Sequence, residues 1–146
     1  MRVFVGQIYV KPGINFPFSH HLQAWLSEQL TELASPSTAF VKRYGSEFDL
    51  MIRISAQIGI AEADIKGPTV FKADKDVEYT VFLPFDVIRA AGSDGRRLAM
   101  EQLLSAVSFV FHDAGVEAPE LAARRESIVQ RVCSDEQMLS SAWSLG

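Results

Sequence analysis

Two stretches close together in the chain restrict what it can become. The first, VEYTVFLPF at residues 77–85, alternates. Val77, Tyr79, Val81 and Leu83 share one side, and Glu78, Thr80 and Phe82 share the other. Alternate residues of a strand point to opposite faces, and β-branched and aromatic side chains suit a half-buried pleated surface. Pro84 has no N–H for a ladder, so the strand ends there or meets an edge. The second, RRLAMEQLLSAVSFVFHDA at residues 96–114, carries Met100, Leu103, Leu104, Val107, Val110, Phe111 and Ala114 at spacings of three and four. That period is the apolar stripe of a long helix packed on a sheet. Gly92 to Gly95 form the turn between them, with Ser93 or Asp94 as cap, and Gly115 is the natural left-handed stop.

The remaining chain can be laid against this pair. Arg2–Val10 alternates as a first strand. Ser19 caps a helix running to about Ala34, with Leu22, Trp25 or Leu26, Leu30 and Leu33 inward. Ser35-Pro36-Ser37 ends it, since proline cannot continue the hydrogen-bond ladder. Residues 48–60 give the clearest strand, with Leu50, Ile52, Ile54, Ala56 and Ile58 on one side. Residues 69–72 form a short strand, and Asp74-Lys75-Asp76 turns it into Val77–Leu83 as a hairpin. Pro119 opens a further helix with Leu121, Arg125, Ile128 and Val132 along it. Ser134 and Gln137 resemble a capping box before a last helix, residues 136–143. The expected fold is α+β in the order β-α-β-β-β-α-α, a single, mainly antiparallel sheet of about four strands packed by helices.

The 146 residues suit one domain with a sizeable core. The apolar runs are too short for a membrane span, and MRVFVGQIYV lacks the solid apolar block of a signal peptide. With Cys133 as the single cysteine, no intrachain disulfide can form, which fits a reducing, cytoplasmic setting. The net charge of −4 argues against nucleic acid as the main partner. All of that surplus lies between Tyr44 and Ile88. Glu47, Asp49, Glu62, Asp64, Asp74, Asp76, Glu78 and Asp86 there face only Arg53, Lys66, Lys72 and Lys75, while the rest of the chain balances. Such a patch either keeps the loops solvated or attracts a basic partner.

Catalytic signatures are lacking. Cys133 lies on a helical stripe and reads as a small buried hydrophobe. His20 and His21 are adjacent, so a helix points them about 100° apart and they make no metal pair. His112 sits at a helix C-terminus, where its charge suits the dipole. The Asp74-x-Asp76-x-Glu78 run lacks the glycine and distal glutamate of a calcium loop. No phosphate-binding or nucleophile-elbow motif occurs, and neither a cofactor nor a metal is expected. Gly92-Ser93-Asp94-Gly95-Arg96-Arg97 is the one stretch that could hold an anion. An enzyme acting on an acyl or phosphoryl substrate would use Arg96 and Arg97 there with His112 as base. Arg97 and His112, however, stand roughly 22 Å apart along one helix.

Size, acidity, element order and the LPFD stretch, Leu83 to Asp86, together resemble the small immunity proteins of bacterial polymorphic-toxin and contact-dependent growth inhibition systems. The resemblance implies a cytoplasmic protein that binds one cognate toxin domain, often a basic nuclease, and blocks it. It transfers no catalytic residue. The contact pool would be Glu47, Asp49, Glu62, Asp64, Asp74, Asp76 and Glu78. Phe71, Phe82 and Arg53 would be anchors if they face outward, or a second core face if they do not. Oligomerisation through an exposed strand edge is a third possibility.

Overall fold

The structure, a computed structural model, describes residues 1–8 and 18–138. Its main sheet has four strands: β1 (Val3–Gln7), β3 (Asp49–Gln57), β4 (Asp64–Phe71) and β5 (Asp76–Pro84), in the spatial order β1-β3-β5-β4. The sheet is mixed, which corrects the mainly antiparallel expectation. β1 and β3 are parallel, β3 and β5 are parallel, and only the β4–β5 hairpin is antiparallel.

Connection length and burial explain this arrangement. The chain between β1 and β3 contains α1 (His20–Leu33), the two-residue β2 (Ser35–Pro36) and α2 (Thr38–Tyr44). A crossover of that length can return the chain to a parallel neighbour. β3 and β5 bury almost every second residue, whereas β4 is largely exposed and carries Lys66, Gly67 and Pro68 at a register shift. A strand with a proline and few buried positions belongs at an edge. β5 therefore inserts between β3 and β4, and its Val77, Tyr79, Val81 and Leu83 lie in the core as expected.

α4 (Gly95–Ala114) is the expected long helix, and all seven residues of the expected stripe are buried. Gly115 takes φ +83° as its stop. α5 (Leu121–Ser134) buries Leu121, Ile128, Val129 and Val132. Arg125, the polar member of its expected stripe, donates to the Glu101 carbonyl at 2.9 Å and to Ser105 Oγ at 2.6 Å on α4. α1 turns Leu22, Leu26 and Leu30 inward, so Leu26 rather than Trp25 is the core residue. Ser19 caps α1 by accepting from the Leu22 N–H. β6 (Val116–Glu117) pairs with β2 and ties the end of α4 to the end of α1.

Other differences are local. Residues 38–44 form α2, capped by Ser37, and residues 85–90 form α3 (Phe85–Ala90) directly after β5. Both helices are too short for periodicity to declare them. The observed order, β1-α1-β2-α2-β3-β4-β5-α3-α4-β6-α5, is thus longer than the expected one. The LPFD stretch is the strand-to-helix junction, with Phe85 buried and Asp86 accepting from the Gly59 N–H. Ile58, expected inward, lies beyond the end of β3 and is 57% exposed. Pro119 precedes α5 in a turn instead of opening it. A short 3-10 turn covers Glu136–Met138, and the rest of the expected last helix, like Tyr9 and Val10 of the expected first strand, lies outside the described residues. No helix among the described residues is long and apolar enough to cross a membrane.

Candidate functional site

Strand registry sorts the acidic residues onto surfaces. Directly paired residues of neighbouring strands project to the same side of a sheet. Val3, Val5, Leu50, Ile52, Ile54, Val77, Tyr79 and Val81 face the helices and are buried. The opposite side carries Phe4 on β1, and Asp49, Met51 and Arg53 on β3. It continues with Asp76, Glu78, Thr80 and Phe82 on β5, and Asp64, Lys66, Thr69 and Phe71 on β4. These side chains are half-buried or exposed, so this side is a half-exposed surface. Asp49, Asp64, Asp76 and Glu78 of the expected contact pool lie on it, together with Phe71, Phe82 and Arg53.

At one end of this side the carboxylates crowd. Asp49 lies opposite Asp76 in the β3–β5 register, and Asp74 and Glu78 flank Asp76 in sequence. Burial, then Asp49, Asp74 and Glu78, push the Asp76 carboxyl above the usual aspartate range, with Arg2 opposing. Asp49 is held by Arg2, whose backbone N–H donates to it at 2.8 Å. Glu47 pairs with Lys75, which holds its carboxyl below the usual range. Nearer the middle, Arg53 donates to Glu78 at 2.5 Å, their side chains 37% and 20% exposed. Asp64 lies near Lys66 at 3.5 Å.

Glu62 is not part of this surface. It lines a cleft of about 310 Å³ on the helical side with Ile65, Gln102 and Phe109. The structure therefore places four of the seven acids on this side and Asp74 in the adjoining β4–β5 turn, ties Glu47 of the loop before β3 to that turn through Lys75, and sends Glu62 elsewhere.

The arginine-bearing loop has a different character. Residues 92–94 form a 3-10 turn and α4 begins at Gly95, with no side-chain cap from Asp94. Arg97 is engaged by Glu126 at 2.6 Å and by Glu101 at 2.9 Å, and the Glu126 hydrogen bond raises its pKa. Arg96 Nε is buried without an acceptor among the described residues. Beside it a cavity of about 510 Å³ is lined by Ser93, Arg96, Arg97 and Cys133. Burial pushes the Cys133 thiol up, away from the reactive thiolate. His112 is exposed at the far end of α4, so the loop and the expected base do not converge. No group of three or more His, Cys, Asp or Glu able to hold a metal occurs among the described residues.

Two sets of contacts carried little sequence signal. Tyr79, fully buried in β5, donates through its hydroxyl to Asp113 Oδ2 at 2.6 Å, and burial followed by this bond raises its pKa. Along the outer edge of β1, Gln7 accepts from Gln23, the Val5 N–H donates to Ser27 Oγ, and the Val3 N–H donates to Thr31 Oγ1. Only the four-residue spacing of Gln23, Ser27 and Thr31 hints at the second. No protein family, curated protein or solved structure matches this chain in comparison.

Proposed function

We propose that this chain is a cytoplasmic immunity-type protein that binds and neutralises a basic toxin domain, a nuclease being the kind its charge suits best. The observation that carries the reading is the half-exposed side of the sheet. It sets Asp49, Asp64, Asp76 and Glu78 beside Phe4, Met51, Phe71 and Phe82 on a rigid scaffold. Apolar anchors within a charged surround are the composition of a specific interface. The crowding around Asp76 supports the same reading, because a cationic partner would relieve repulsion that the free protein retains.

The test is capture on tagged protein at low and high salt, beside an Asp49→Lys/Asp76→Lys/Glu78→Lys variant. The wild type should retain a stoichiometric basic partner at low salt and lose it at high salt, and the variant should retain none. Equal retention by the variant would place the interface elsewhere. A second reading, a small enzyme binding an anionic acyl or phosphoryl group at residues 92–97, is favoured by Arg96 Nε alone. Ion-pairing of Arg97 and the distance to His112 weigh against it.

A further inference from the structure

A groove of about 350 Å³ runs between β1 and the outer surface of α1, with Arg2, Phe4, Glu28 and Glu32 around it. We propose that this groove receives an arginine side chain of the basic partner, stacked on Phe4 and paired with Glu28 and Glu32. The inference rests on the binding reading above and extends its surface around the β1 edge.

Phe4 is half-buried, and its ring already holds a cation: the Arg2 guanidinium carbon lies 4.9 Å from the ring centroid. That cation is loosely held. The Arg2 side chain is 70% exposed, and its ion pair with Asp49 is 3.8 Å long. An exposed pair of this kind is readily exchanged. Glu28 and Glu32 stand one turn apart on α1, both exposed and neither in an ion pair among the described residues. Like charges at this spacing repel. The hydroxyls of Ser27 and Thr31, which also line the groove, have no hydrogen to offer the carboxylates, since Ser27 donates to the Gln23 carbonyl and Thr31 to the Val3 carbonyl. A planar guanidinium can stack on the ring and donate to both acids at once, which a lysine ammonium does less well. Phe4 belongs to the half-exposed side of the sheet as well, so groove and acidic surface are continuous.

The test is a titration of the intact, isotope-labelled protein with N-acetyl-arginine amide, followed by amide chemical shifts. The matching citrulline compound is the neutral control. The arginine compound should shift Phe4 and residues 27–32, and citrulline should not. Glu28→Gln/Glu32→Gln should weaken the effect about fivefold, since two exposed charge pairs are lost, and Arg2→Ala should strengthen it by removing the resident cation. Both variants alter exposed side chains, and unchanged shifts elsewhere report an intact fold. Equal shifts from citrulline would overturn the proposal. Shifts confined to residues 74–78 would overturn it too while leaving the acidic-surface reading in place. The absence of any shift would overturn the groove alone, because capture by the charge-reversed variant judges the wider surface.

Discussion

Gly67 shows how one missing side chain permits a pairing. Its φ is +128°, and a Cβ added there would lie 2.9 Å from the Glu78 carbonyl oxygen and 3.1 Å from Tyr79 Cα. The obstructing atoms are backbone of a central strand and cannot step aside. Gly67→Ala should therefore cost about 2 kcal/mol or more, combining backbone strain with the steric clash, and denaturant unfolding would measure it. Tyr79 poses the opposite problem of a buried polar atom with one partner. Tyr79→Phe removes donor and need together and should cost about 1 kcal/mol. Asp113→Ala leaves the hydroxyl stranded and should cost about 1–3 kcal/mol. The raised Tyr79 pKa also fixes a pH dependence. The folded state holds the phenolic proton more tightly than the unfolded chain, so this contribution is complete below the unfolded tyrosine value, about pH 10, and is lost as pH rises beyond it. The difference in stability between wild type and Tyr79→Phe should shrink above that pH.

The match between α1 and β1 is metric. Four helical residues advance about 6 Å and two strand residues about 6.6 Å. Gln23, Ser27 and Thr31 thus meet Gln7, Val5 and Val3 in turn, and α1 supplies the partners a further strand would have given. Ser27→Ala/Thr31→Val should release two edge N–H groups. We expect a loss of about 1–2 kcal/mol, and concentration-dependent association seen by sedimentation, because an open edge invites a second chain. This helix, α4 and the β3 and β5 runs were legible in the sequence because burial imposes a period on them. The parallel pairing of β3 with β5 was not, since alternation is the same in both senses of pairing. The clue lay in β4, whose Gly67-Pro68 and exposed Lys66 mark an edge, leaving the inner position to β5. α2 and α3 span barely two turns, and two turns do not establish a period. The same limit applies to the candidate surface. Acid count located it in the middle third, but only the path of the loop before β4, which carries Glu62 to the helical side, separates it from the others.

For the molecule as a whole, stability and the proposed binding make opposite demands at Asp76. Burial, and Asp49 brought opposite by the sheet, disfavour its charge in the folded state and are lost on unfolding, while Asp74 and Glu78 stay two residues away in either state. Its folded pKa is therefore raised. The protein is least favoured by this group when the carboxylate is ionised in both states, above the raised value. It recovers the difference as pH falls through that value, and recovers it fully below the ordinary aspartate range. Asp76→Asn removes the repulsion outright. The variant should be more stable than wild type at neutral pH, and the two should converge in acid, as thermal unfolding across pH would show. If the half-exposed side of the sheet binds a cationic partner, the same substitution removes an attraction, so affinity should fall while stability rises. Salt separates the two effects further. Screening weakens repulsion among exposed charges and attraction across an interface alike, so added salt should narrow the stability gap and the affinity gap together. A variant that gained stability and kept full affinity would mean that the crowded carboxylates serve only to keep the surface hydrated, and that recognition lies on another side of the protein.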